Sequence, residues 1–259
     1  MCRIARAAAF LAFALAVPAA ANDLAPTGAL RATFIAQNPV QAVTDAKTGA
    51  VTGPAAEITA ALAKKHNVSF TIRGVDGVRG VIESVKSGAA DIGFVAYEPA
   101  RAAEVDFAQT YLLAHNGYVV RAESAIRVSA EVDRAGIRVG AGEVDVAGVY
   151  LKRNLKHATL VPNPSSGMPE ALRLLLSGDV QAYAANKERL IATFGGDARF
   201  RILADNFLSV RQAIAVPKGS TARLALVNAF LDEARATGLV QAAIGRAGLR
   251  GVDPAPKMD

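Results

Sequence analysis

Short apolar runs separated by polar and glycine-containing turns dominate the chain, and their spacing alternates between strand and helix periods. Gly28 to Ala36 (GALRATFIA) reads as a first strand. The following stretch to Gly53 is loop-like, with Asn38-Pro39 and a turn at Asp45 to Gly49. Pro54 suits the first position of a helix reaching about His66, its apolar face carried by Ile58 and Leu62. Val68 to Arg73 predicts a second strand with Val68, Phe70 and Ile72 turned inward. Gly77 to Lys86 predicts a second helix, and Ala90 to Val95 a short buried strand.

The alternation then restarts. Val105 to Phe107 and Tyr118 to Val120 are separate short apolar runs, followed by a connecting segment. Strands are predicted at Gly136 to Ala141, Thr159 to Val161 and Gly178 to Ala184. Helices are predicted at Asp145 to Leu155, with Asp145 as its N-cap, and at Met168 to Leu176. Phe200 to Leu203 and Ser209 to Val216 are later strands. Gly219-Ser220 opens a long helix to about Ala236, a shorter amphipathic segment follows, and the tail from Val252 to Asp259 is expected to be loose. Strands alternating with helices in both halves predict an α/β protein whose parallel sheets are built from βαβ units.

Candidate chemistry concentrates after the third strand. A loop, Tyr97-Glu98-Pro99-Ala100-Arg101, leaves the carboxyl end of that strand, the place where open α/β sheets bind small ligands. The order SGAADIGF, then Arg101, then VDFAQTY, then YVV resembles the signature of the family 3 extracellular solute-binding proteins, the periplasmic receptors of polar amino acid ABC transporters. GALRATF, the TG…TGP loop and the helix after it resemble that family's first βα unit. Ala213 to Pro217 resembles its return crossing. The resemblance covers Gly28 to about Gly251.

It implies a two-lobed periplasmic binding protein fold of type II, with two hinge crossings. A first lobe would span residues 22–119, a second 120–214, and a return segment 215–259 would rejoin the first. It also implies a ligand cleft between the lobes. Arg101 would grip a ligand carboxylate, with Tyr97, Glu98 and Asn38 beside it. Asp145 and Asn186, followed by Lys187, would stand at the second-lobe anchor positions. The chain departs from the amino-acid pattern at several of these places. Asn38-Pro39-Val40 offers no aromatic ring, and Glu98 replaces a hydroxyl. Asp145 occupies another hydroxyl position, and Asn186 occupies that of the acid that meets an α-ammonium. Lys187 with Arg101 favours an anionic ligand, whereas Glu98 with Asp145 favours a cationic or zwitterionic one.

Composition narrows the classes. The 259 residues hold 52% hydrophobic side chains, enough for a substantial core. Met1 to Ala21 has the n-region (Arg3, Arg6), h-region (Ala7 to Val17) and small-residue cleavage site of a secretory signal peptide. Its loss lowers the formal charge from +6 to +4, a scattered excess that does not indicate nucleic-acid binding. The single cysteine, Cys2, lies within that segment, so no disulfide, thiol nucleophile or cysteine metal site is expected in the mature chain. His66, His115 and His157 are far apart and lack metal-ligand spacing. No phosphate loop or nucleophile elbow is present. No cofactor or metal is therefore expected.

The expected protein is a monomeric periplasmic receptor. It binds a small carboxylate-bearing solute, hands it to a membrane permease, and has no catalytic residues. The alternative is a periplasmic enzyme of the cyclohexadienyl dehydratase type on the same fold, with Glu98, Glu143 or Asp145 as the acid.

Overall fold

The computed structural model describes residues 23–257. The expected signal peptide and Cys2 lie outside the described residues. The first half follows the predicted order. Strand β1 (Ala29–Ile35) leads through a small hairpin, β2 (Val43–Thr44) and β3 (Val51–Thr52), into helix α1 (Pro54–Lys65), which starts on Pro54. Strand β4 (Ser69–Val75), helix α2 (Gly77–Lys86) and strand β5 (Ile92–Ala96) follow. A 3₁₀ turn at Pro99–Ala103 then carries the chain into β6 (Val105–Arg121).

In the second half come β7 (Arg138–Gly142), α3 (Val146–Asn154), β8 (Thr159–Asn163), α4 (Met168–Ser177), β9 (Ala182–Asn186) and α5 (Lys187–Phe194). The chain closes with β10 (Phe200–Ile202), β11 (Leu208–Pro217), α6 (Thr221–Ala236), α7 (Leu239–Arg246) and β12 (Val252–Pro254).

The main path of the large sheet runs β4-β1-β5-β11-β6-β9-β7-β8, with β10 and β12 also pairing to β6. Both flanks are parallel, β4 with β1 and β5 at one end, and β9 with β7 and β8 at the other. The middle is antiparallel, because β6 and β11 run in opposite directions between the halves. Two hydrophobic clusters sandwich the first flank and two the second. Along β6 the cluster membership changes between Ala114 and Tyr118. The architecture is thus two α/β lobes joined through β6 and β11, and the polar residues between the cores sit at the junction.

Four expectations are corrected. The two short runs at Val105 to Phe107 and Tyr118 to Val120 belong to one strand of 17 residues. Its polar interior is tolerated because neighbouring strands satisfy it. His115 is buried between Ser209 Oγ on β11 and Asp253 Oδ2 on β12, each 2.8 Å from a ring nitrogen. The described part of the tail is not loose, since β12 pairs with β6 and Val252 and Ala255 are buried. The strand expected from Gly178 begins later, at Ala182, because Gly178 adopts φ 75° and ends α4. Phe70 does not turn inward. It is 42% exposed, because β4 is an edge strand and only Val68 and Ile72 pack partly against the core.

Several turns are held by carboxylates that accept backbone hydrogen bonds. Asp133 accepts from the N–H groups of Lys156, His157 and Ala158, which hold its pKa below the ordinary value. Asp106 lies between Lys218 Nζ and the N–H of Gly219, both at 2.7 Å, and its pKa is lowered likewise. A depressed folded-state pKa contributes stability above the unfolded value, and that stability is lost as pH falls through the folded pKa. The melting temperature is therefore expected to hold from neutral pH down to about pH 5 and then fall below about pH 4, near the free aspartate value. Thermal melts across this range check it. Asp133→Asn should flatten the acid limb, and an unchanged limb would count against this assignment.

Candidate functional site

Two adjoining cavities lie between the lobes and share Val146 and Val210. The first, about 220 Å³, is bounded by the loop after β1 (Asn38, Pro39), by Asn116 of β6, and by Asp145, Asn186 and Arg189 of the second lobe. The second, about 380 Å³, is bounded by Tyr97, Glu98 and Arg101 of the first lobe, Arg211 of β11, and Val144 and Tyr150 of the second. Their sizes suit a small solute.

Local structure places each group. Arg101 sits on the 3₁₀ turn that follows β5, and its Nη1 donates to the carbonyl of Ala96 at 2.6 Å. That bond aims the guanidinium back along the strand end. Burial pushes its pKa down and the charge of Glu98 raises it, but an arginine remains protonated. Tyr97 packs edge-on against Phe107 (5.2 Å between centroids), and the guanidinium of Arg211 lies 4.0 Å from the centre of its ring. This cation–π contact fixes Arg211 at the cavity wall.

Asn38 turns its Oδ1 onto the N–H of Val40. Behind it, buried Gln41 accepts from the N–H of Ile35 and donates to Gln212 on β11, at 2.9 Å each. The loop after β1 is thereby tied to the strand that joins the lobes.

In the second lobe, Asp145 occupies the N-cap position of α3, but its carboxylate makes no cap bond. It instead accepts from Arg189 Nη1 at 2.7 Å, while Arg189 Nη2 donates to the carbonyl of Ser166. This corrects the expectation of a side-chain cap. Asn186 caps α5 by accepting from the N–H of Glu188 at 3.0 Å. Lys187 lines neither cavity. Its Nζ donates to the carbonyls of Ala204 (2.6 Å) and Asp205 (3.3 Å), on the far side of the helix start, and burial lowers its pKa. Of the seven expected site residues, six therefore line the cleft: three in one cavity and three in the other.

Arg189 and Arg211 were not expected. Arg189 lies in the first turn of α5, a helix whose signal was present in Asn186 followed by Lys-Glu, an N-cap and an acidic first turn. Arg211 lies in a strand where alternation alone does not distinguish a cleft-facing side chain from a solvent-facing one.

Gly148 permits the close approach of α3 to the end of β7. A Cβ there would stand 2.0 Å from the carbonyl oxygen of Gly142. Gly148→Ala must push the helix start, with Val144 and Val146, away from the sheet. A stability loss of about 1–3 kcal/mol is expected, as for overpacking, together with weaker solute binding. Chemical denaturation and a binding titration check both effects, and a native midpoint would remove the constraint.

The model for bacterial extracellular solute-binding proteins, family 3, matches residues 31–246. The chain belongs to this family. Solved structures agree on the fold. The family chain aligns with an ancestral cationic amino acid solute-binding protein at 21% identity, covering 85% of this chain and 95% of that one, with a TM-score of 0.65. A second structure, of an ancestral amino acid-binding protein described as a precursor of cyclohexadienyl dehydratase, aligns at 21% identity over 85% and 94% of the two chains, with a TM-score of 0.62. An amino acid ABC transporter substrate-binding protein from Streptococcus pneumoniae bound to L-arginine aligns at 17% identity over 86% and 95%, also with a TM-score of 0.62. Comparison with curated proteins by sequence gives no match. The two-lobed fold is thus that of the periplasmic binding proteins, and the family is extracellular.

Proposed function

We propose that this family 3 protein is the solute-binding subunit of an ABC importer. It works as a monomer in the periplasm and holds a small carboxylate-bearing solute between its lobes. The observation that carries this reading is the position of Arg101, at the carboxyl end of β5 in a cavity walled by both lobes. A guanidinium there presents paired donors to a carboxylate, and water exclusion on closure strengthens the pair. The junction through β6 and β11 supplies the hinge, with residues 22–119 and 215–259 moving as one lobe against 120–214. Asn38, Tyr97 and Glu98 would contact the solute from the first lobe, and Asp145 and Asn186 from the second. The closed form would then dock on the membrane permease.

A thermal-shift panel of amino acids, organic acids, polyamines and opines tests the reading, because a solute that binds only the folded state raises its melting temperature. Saturable binding with the solute recovered unchanged supports a receptor. Conversion of the solute to a product supports the dehydratase alternative, and no shift with any class counts against both.

A further inference from the structure

We infer that the solute is an organic anion with an apolar body and no ammonium group, of the kind represented by hydrophobic 2-oxo acids and aromatic carboxylates. The inference rests on the receptor reading above and specifies what the cleft accepts.

Charge carries the first half of the argument. Arg101, Arg153 and Arg211 all line the larger cavity, and none has an ion-pair partner among the described residues. Arg101 spends one N–H on the Ala96 carbonyl, and Arg211 rests on the Tyr97 ring. The one acid lining this cavity is Glu98. Three guanidiniums facing one carboxylate leave a positive field that attracts an anion and repels a cation.

An α-ammonium would need an acceptor elsewhere in the cleft, and the groups of the smaller cavity are already engaged. Asp145 is neutralised by Arg189, and Glu188 accepts from the N–H of Arg250 at 2.6 Å. Asn186 uses its side-chain oxygen to cap α5. An amino acid entering here would find only Glu98 for its ammonium, and that charge already faces Arg101 beside it, a cost that an oxo acid of the same skeleton avoids.

The opposite wall carries the second half. Val144, Val146 and Val149 are 80%, 55% and 38% exposed, and all three line the larger cavity. They are three of the seven large hydrophobic side chains that stand exposed among the described residues, so this wall is more apolar than scattered surface valines would make it. Tyr150 extends the apolar surface. The two sides therefore call for a charged end toward Arg101 and Arg211, and a hydrocarbon body toward the start of α3.

Calorimetric titration of the purified exported protein with matched pairs tests this: 4-methyl-2-oxopentanoate against leucine, and phenylpyruvate against phenylalanine, with succinate and arginine alongside. The oxo acids are expected to bind about tenfold or more tightly than the amino acids sharing their skeletons. Arg211→Gln is expected to lower oxo-acid affinity by about tenfold, one lost charge contact. Either amino acid binding as tightly as its oxo acid, or arginine binding best, would overturn the inference while leaving the receptor reading standing. Preference for succinate would overturn it as well, since that anion lacks the apolar body. Failure of every organic acid and every amino acid to bind would instead overturn the receptor reading itself.

Discussion

Arg101→Ala is expected to weaken solute binding about a hundredfold or more while the empty protein melts close to the parent. The guanidinium is half-buried on its turn and makes one protein hydrogen bond, to the Ala96 carbonyl. The residue lines the cavity, and its remaining donors have no protein partner among the described residues. Truncating one partner of a hydrogen-bonded charge pair in a closed interface costs about 2–5 kcal/mol, and each 1.4 kcal/mol is a factor of ten in affinity. The folded protein loses much less, because Ala96 lies at the strand end and its carbonyl is rehydrated in the open cleft. The net worth of such a bond is about 1 kcal/mol.

Arg101→Lys should fall between the two proteins, since it keeps the charge and loses the paired geometry. A titration paired with a thermal melt of each variant separates the effects. Unchanged affinity in Arg101→Ala would remove this residue from the site, and a collapsed melt would make its role structural.

Much of the architecture was legible because each lobe is built from short repeating units with strong punctuation. Pro54 at the first position of α1 and the glycine turn between α2 and β5 mark boundaries that the fold respects. Long-range partners explain what was not legible. The polar run through Thr110, His115, Asn116 and Gly117 looks like a break in a strand. It is continuous because β11, β9 and β12 pair along it. Val252 to Pro254 looks like a frayed tail, but β6 offers it a partner, and Asp253 closes onto His115.

The site divides in the same way. Tyr97, Glu98 and Arg101 are adjacent in sequence and share one cavity, so local reading found them together. The pairing of Asp145 with Arg189 crosses 44 residues and depends on β9 delivering α5 beside α3. Lys187 shows the opposite failure. It neighbours Asn186 in sequence, but a helix start turns adjacent side chains in different directions.

Asp91→Ala is expected to give the largest stability loss of any single change argued for this protein, about 3 kcal/mol, the lower end of the range for breaking a buried ion pair. Asp91 lies in the SGAADIGF segment, 1% exposed, just before β5. Its Oδ2 accepts from both the backbone N–H and Nε of Arg31, at 2.9 and 3.0 Å, and its Oδ1 accepts from Arg31 Nη2 at 2.8 Å. Its own N–H returns a bond to the Arg31 carbonyl at 2.7 Å. One residue thus staples the start of β1 to the start of β5.

Arg223 of α6 completes the arrangement, with Nη2 3.9 Å from the same carboxylate and Nη1 donating to the Asp91 carbonyl at 3.3 Å. Burial pushes the pKa of Arg223 down, and the charge of Asp91 opposes that shift. Removing the carboxylate leaves two guanidiniums facing one another. Arg223, with 11% of its side chain exposed, has little access to water. Arg31 is 30% exposed and recovers some hydration, which is why the lower end of the range applies. Asp91→Asn, which keeps an acceptor and loses the charge, should cost less than the alanine variant.

Urea denaturation measures the difference. The expected signature is a lower midpoint at unchanged slope, because the surface exposed on unfolding stays the same. Solute affinity should be retained in the surviving folded fraction, since Asp91 lines neither cavity. A native midpoint would mean that the contact contributes geometry without net stability. A loss of affinity at full stability would move Asp91 from the frame of the lobe to its binding face.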